Sequence, residues 1–217
     1  MVRRTKEDAL ATRDALLDAA ERVFGRRGVA RTSLAEVAQE AGVTRGAVYW
    51  HFKDKVDLFS AMVERVTLPL DASMSQLATV EGDPLRQMQE RLNEAVRVIA
   101  QDERTQRVLE IGCLMVEHVA EMGSLRDQEV NKQRLSIQVL TQSLEAAAAF
   151  HHVALPASAA ALAHGLHGMA RGLVTNWLLD RTFDLEASTM AAVRTYLRGM
   201  GFQVPGASDR PDHDNRR

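Results

Sequence analysis

Apolar residues recur at helical spacing over most of this chain, and few stretches alternate apolar and polar positions over a strand length. Leu10, Leu16, Leu17, Ala20, Val23 and Phe24 form one stripe of a first helix from about Lys6 to Arg27. Gly28 follows, where a residue free to take positive φ is favoured. Leu34, Val37, Ala38 and Ala41 form a second stripe, with Thr32 or Ser33 as its N-cap and Glu36 completing a capping box with Ser33. Gly42 stands where a left-handed turn is wanted, and Thr44 can cap a third helix that points Val48 and Phe52 to the core. Residues 32–55 thus have the layout of a helix-turn-helix. A fourth helix starts at Lys53 or Asp54 and runs through Leu58, Phe59, Met62 and Val66 toward Pro69.

Beyond it the pattern predicts a helical bundle. Gly82-Asp83-Pro84 opens a helix with Leu85, Met88, Leu92, Val96 and Ile99 on one face. A run over 103–121 carries Val108, Leu109, Cys113, Val116 and Val119, and residues 125–149 form a long third pattern. A helix with Pro156 at its edge reaches about Leu179, and a last one spans about Glu186 to Gly199. The expected class is all-α, with a helix-turn-helix DNA-binding domain over 1–60 and a linking helix over about 54–69. A second, helical-bundle domain fills 61–204, and the polar, breaker-rich residues 205–217 form a disordered tail.

The third helix is too short to bury Thr44, Arg45, Gly46, Ala47, Tyr49, Trp50 and His51 together. Arg45 can present its planar guanidinium to a guanine edge, while small Gly46 and Ala47 let backbone approach the duplex. Tyr49, His51 and Lys55 carry donors suited to phosphate oxygens, with Thr32 and Ser33 at the front of the preceding helix completing the candidate face.

Composition narrows the class. Hydrophobic residues make up 46% of the 217 positions and aromatics only 5%, which suits helix packing around a sizeable core. The net charge of −2 argues against indiscriminate nucleic-acid binding, but residues 1–60 hold eleven Lys or Arg against nine Asp or Glu. Arg3, Arg4 and Lys6 concentrate positive charge in an N-terminal arm able to follow a phosphate backbone. The single cysteine precludes an internal disulfide and suits a reducing cytoplasm. No apolar run reaches the roughly 20 residues a bilayer requires, and the charged start is unlike a signal peptide. A soluble cytoplasmic protein is expected.

The stretch TRDALLDAAERVFGRRGVARTSLAEVAQEAGVTRGAVYWHFKDKVDLF resembles the N-terminal domain of TetR-type transcriptional repressors, in particular the AcrR-type branch that controls multidrug efflux pumps. GDPL (82–85) and GLVTNWLLDRTFDL (172–185) resemble the same branch, whereas 63–155 is the most divergent part. The resemblance implies a homodimer that reads a palindromic double-stranded operator and is released by a small amphipathic, drug-like effector. It implies pairing of the last two helices across a two-fold axis, here through Leu162, Leu166, Met169, Leu173, Met190, Val193 and Leu197, with Gly165, Gly168 and Gly172 allowing close approach. It also implies a cavity in the bundle. Met88, Leu92, Glu110, Cys113, Leu114, Glu117, Gln133, Gln138 and Asn176 offer a mostly apolar lining with polar anchors, Glu110 or Glu117 facing a cationic ligand.

Other chemistry is less well supplied. His164 and His167, near His151 and His152, lack acidic or thiol companions at metal-ligand spacing, so neither a metal nor a cofactor is expected. No nucleophile–base pair or phosphate loop argues for an enzyme. Two other functions fit the pattern: a related regulator of lipid or metabolite genes, and a helical ligand-binding or scaffold protein that does not bind DNA.

Overall fold

The computed structural model describes residues 6–75, 82–114 and 123–204. Among them the fold is all α, in the order α1 (Lys6–Arg27), α2 (Leu34–Glu40), α3 (Arg45–His51), α4 (Lys55–Ser75), α5 (Pro84–Gln101), α6 (Glu103–Leu114), α7 (Gly123–Phe150), α8 (Ala159–Leu179) and α9 (Leu185–Gly199). Glu117, Val116, Val119, Arg3, Arg4 and the tail lie outside the described residues.

Local chemistry explains most boundaries. Asp83 caps α5 by accepting from the N–H groups of Leu85 and Arg86, with Pro84 in the first turn, where its missing donor costs nothing. Ser158 caps α8, which begins at Ala159, three residues later than an edge at Pro156 would suggest, and Asp184 caps α9. α4 continues through Pro69 to Ser75 rather than ending there. Leu10, expected in the buried stripe of α1, is 56% exposed, because α1 overhangs the core and its buried run begins only at Leu16.

Three apolar clusters hold the chain together. The first joins α1 to α4 through Leu16, Phe24, Val48, Phe52 and Leu58, and also takes Val108 and Ile111 from α6. The second fills the bundle between α5, α7, α8 and α9, with Met88, Leu144, Leu166 and Leu197 at its centre. The third gathers Val96, Ile99, Trp177, Leu178 and Leu185, with Leu109 and Leu114 of α6 packed against it. α6 therefore serves two cores, one on each face, and the N-terminal core does not stop at residue 60.

Candidate DNA-binding face and bundle junction

The reading head is set by contacts three residues long. Ser33 Oγ accepts from the Glu36 N–H at 3.3 Å while the Ser33 N–H donates to Glu36 Oε2 at 2.8 Å, so both ends of the capping box are made. These bonds, the backbone one foremost, hold the Glu36 carboxyl below its ordinary pKa. Gly42 takes φ +68°, which a Cβ would strain, and Thr44 Oγ1 caps α3 by accepting from Ala47 N–H at 3.3 Å. Two stretches of α1 and α2 are stapled by charge: Arg22 and Arg26 meet Glu40 at 2.7 and 2.5 Å, and Arg27 meets Glu36. Those arginines are engaged by acids of the same domain.

α3 buries Ala47 and Val48 and leaves Arg45, Gly46, Tyr49 and Trp50 outside, with Tyr49 50% and Trp50 72% exposed. The Arg45 guanidinium carbon sits 5.6 Å from the Tyr49 ring centroid, with Nη2 3.5 Å from the phenol oxygen. His51 is half-buried and meets Trp50 edge-on at 4.5 Å.

Several expected contacts are placed differently. Thr32 is 3% exposed and donates to the Gly28 carbonyl at 2.9 Å, so its hydroxyl closes the α1–α2 turn instead of facing outward. The Ser33 hydroxyl is taken up by Glu36. Ala47 lies against the core, because a seven-residue helix needs both Ala47 and Val48 to seat it, and only Gly46 of the small pair is exposed. The Lys55 ammonium donates to the Ala30 carbonyl at 2.8 Å, tying α4 to the α1–α2 turn and leaving two of its three hydrogens for other partners.

Lys53 was not singled out by the pattern, yet it is exposed at the end of α3. Phe52 is extended and points inward, so its neighbour projects outward. Its turn is pinned, with Lys53 N–H donating to Asp57 Oδ2 at 2.9 Å and Asp57 N–H to Asp54 Oδ1 at 2.8 Å.

In the bundle the described ligand candidates differ in burial. Met88 and Leu92 are packed in its core, Leu114 is half-buried in the third cluster, and Gln133, Gln138 and Asn176 are exposed. Glu110, a leading candidate to face a cation, lies 3.6 Å from Arg181, which already supplies its counter-charge.

A different set does meet, where α6, α7 and α8 adjoin. Arg171 Nη1 donates to Glu129 Oε1 at 2.5 Å. Cys113, one of the expected ligand-lining residues, is solvent-accessible and lies within the influence of Arg171, Glu129 and Thr175. Desolvation is still the largest influence on its thiol and raises the pKa. Cys113 thus sits where α6 meets the Arg171–Glu129 pair of α8 and α7. His167 shares the setting: burial first, then Arg171, lowers its pKa below the ordinary 6.5. These groups are far apart in sequence, and the nearest signal was the polar interruption of α8 at His167, Arg171 and Thr175. Among the described residues no group of three His, Cys, Asp or Glu side chains could hold a metal ion.

The outward faces of α8 and α9 also differ from expectation. Leu166, Val193 and Leu197 are fully buried inside the protomer, because α8 and α9 use them to close the second core. Leu162, Met169, Leu173 and Met190 are partly covered at the edges. Outermost are Ala161, Gly165 and Gly168 on α8 and Ala187, Ala191 and Thr195 on α9. Gly165 also serves the protomer itself: Tyr196 donates to the Leu162 carbonyl at 3.1 Å across it, and a Cβ there would collide with the phenol. Among the described residues no helix is long and apolar enough to cross a membrane.

Known proteins share this arrangement from end to end. Residues 16–62 match bacterial regulatory proteins of the tetR family, and residues 83–202 match the C-terminal region of MAATS-type transcriptional repressors. The HTH-type transcriptional repressor BepR of Brucella suis is 34% identical over 201 residues, covering 92% of this chain and 96% of the relative. The crystal structure of NalD, the secondary repressor of the MexAB-OprM multidrug efflux pump in Pseudomonas aeruginosa, superposes with a TM-score of 0.80 at 32% identity, covering 89% of this chain and 97% of that one. A SmeT–triclosan complex does so with a TM-score of 0.81 at 31% identity, covering 93% and 98%; SmeT is the repressor of the Stenotrophomonas maltophilia multidrug efflux pump SmeDEF.

Proposed function

The chain belongs to the TetR family of bacterial transcriptional regulators, and from that membership we propose that it is a homodimeric repressor of a multidrug efflux operon. An amphipathic small molecule releases it from its operator. The observation that carries this reading is the exposed Arg45–Tyr49–Trp50 surface on a helix seated by Val48 and Phe52. Large side chains left outside so short a helix, with a guanidinium among them, suit the major groove.

Roles follow from exposure and hydrogen bonding. Arg45 reads a base edge; Tyr49, Trp50 and His51 contact the adjoining strand; Gly46 lets the helix approach closely. Lys53 supplies a phosphate contact beside the remaining donors of Lys55. Thr44 contributes through the N-terminus that it caps, and Thr32 and Ser33 act only by shaping the head. The small outer faces of α8 and α9 pair across the two-fold axis, which spaces two recognition helices for successive half-sites.

The junction of α6, α7 and α8 is the polar end of the effector site. Cys113, Thr175, His167 and the Arg171–Glu129 pair supply the polar anchors, and Glu110 is not one of them. The effector acts by preferring the form that cannot bind DNA, since equal affinity for both forms would shift nothing.

The test compares Arg45→Ala and Lys53→Ala on a cognate operator and on single-base variants. Arg45→Ala costs about 1–3 kcal/mol on the cognate site and relaxes preference at one position, whereas Lys53→Ala weakens all sites alike and flattens the salt dependence. Equal losses for Arg45→Ala on matched and mismatched sites would contradict its role.

A further inference from the structure

Arg181, in the turn between α8 and α9, reaches α6. Arg181 Nη1 donates to Gln106 Oε1, its Nη2 lies 3.6 Å from Glu110 Oε2, and its guanidinium carbon sits 4.6 Å from the Trp177 ring centroid. Gln106 is buried and passes the contact on, its Nε2 donating to the Ala100 carbonyl at 2.8 Å. The corner between α5 and α6 is itself fixed, because Asp102 accepts from both the N–H and the hydroxyl of Thr105, at 2.7 and 2.5 Å.

The opposite face of the same α6 turn carries a second set of contacts. Arg104 Nη2 meets Asp18 of α1 at 2.7 Å, and its Nε lies 3.5 Å from Glu21. Arg65 of α4 meets the same two carboxylates, Asp18 at 2.9 Å. Glu21 is buried while Asp18 and Arg104 are 39% and 43% exposed, so this cluster spans the junction of α1, α4 and α6 from its buried side to its surface. Val108 and Ile111 continue that face of α6 into the N-terminal core.

Arg104 and Gln106 are two residues apart, about 3 Å along the helix axis. A hydrogen-bonded helix cannot absorb a displacement over so short a length, so what Arg181 does to α6 arrives at Asp18, Glu21 and Arg65. We infer that Arg181 is a positioning residue that holds α6, and through Arg104 the α1–α4 unit, in the orientation that binds DNA. The turn between the two C-terminal helices is then a control point on the reading heads. Its contacts at Gln106 and Glu110 are distinct from the Arg171–Glu129 pair near Cys113, although both lie on the α8-facing side of α6. The consequence for DNA affinity rests on the repressor reading; the mechanical link does not.

Hydrogen exchange on the full-length protein tests the link without DNA or effector, since it reports local opening segment by segment. Arg181→Ala is expected to speed exchange several-fold in α1 over 16–24 and in α4 over 58–66, the same amides that Arg104→Ala affects. If the two act in series, the double variant exchanges there no faster than Arg104→Ala alone. Arg181→Lys, which keeps the charge but loses the planar fork, falls between wild type and Arg181→Ala. Arg86→Ala, which removes only the exposed Arg86–Glu90 pair, leaves both segments unchanged. Changes in Arg181→Ala confined to 105–114 and 177–185 would overturn the inference, as would additive effects of the two variants. On an operator found by in vitro selection, Arg181→Ala weakens binding several-fold with an unchanged salt slope, because no phosphate contact is lost. Absence of any operator binding in the wild type would defeat the repressor reading while the exchange result still judged the link.

Discussion

The helix-turn-helix corner and the α6 junction are held by contacts of opposite reach. At the corner, the Ser33–Glu36 and Thr44–Ala47 bonds span three residues each. At the junction, Arg104 reaches Asp18 across 86 residues and Arg181 reaches Gln106 across 75. Short-range caps set the shape of the reading head whatever the bundle does. Long-range arginine contacts set where that head points. Damage to the first should abolish DNA reading, and damage to the second should alter its control.

The sharpest way to break this division is Phe52→Ala. Phe52 is almost fully buried at the end of α3, and its loss should cost about 3–5 kcal/mol of unfolding free energy in urea, with operator binding lost. Arg65→Ala comes next. It leaves the buried Glu21 carboxylate with only Arg104 at 3.5 Å, a loss of about 3 kcal/mol. Adding Glu21→Leu should recover much of that loss, because the unpaired buried charge goes with it; no recovery would mean that the cluster is not the cause. Ser33→Ala should cost about 1 kcal/mol by removing the side-chain cap of α2, and weaken operator binding without touching effector affinity.

Acid has the smallest effect, and it separates the helix-turn-helix corner from the bundle around His167. The folded-state pKa of His167 lies below 6.5, so between the two values the unfolded chain binds the extra proton. Its contribution is complete above about pH 6.5 and is lost as pH falls toward the folded-state value. Glu36 and Glu40 are also lowered, Glu36 chiefly by the Ser33 backbone bond and Glu40 chiefly by the Arg22 bond, from an ordinary 4.5. Their contributions are complete above about pH 4.5 and disappear below it. Urea denaturation from pH 7 to 5.5 should therefore show a loss in the wild type that His167→Gln reduces, while Ser33→Ala should change the profile only below pH 4.5.

The same contrast in reach explains what the sequence could reveal. Ser33, Glu36, Gly42 and Thr44 could be read because each acts on a neighbour within one helical turn, where spacing is geometry. The stripe of α5, from Leu85 to Ile99, was equally legible, since all five of its expected residues are buried. Glu110 looked like a ligand carboxylate because its partner, Arg181, is 71 positions away and no periodicity connects them. Leu166, Val193 and Leu197 looked like interface residues because a helical stripe does not say whether its apolar face meets its own bundle or a second copy. Lys55 and Lys53 show the limit at single-residue scale: two cations two residues apart, of which one ties α4 to a carbonyl and the other faces outward.

The most direct test of the account is equilibrium binding of the full-length protein to the DNA upstream of its own gene, against a scrambled duplex, across a salt series and with and without triclosan and a panel of other amphipathic compounds. The account predicts tight binding that depends on a palindrome, falls steeply with salt, and weakens when at least one compound is added. Equal affinity for both duplexes at every salt concentration, or operator binding that no compound alters, would contradict it.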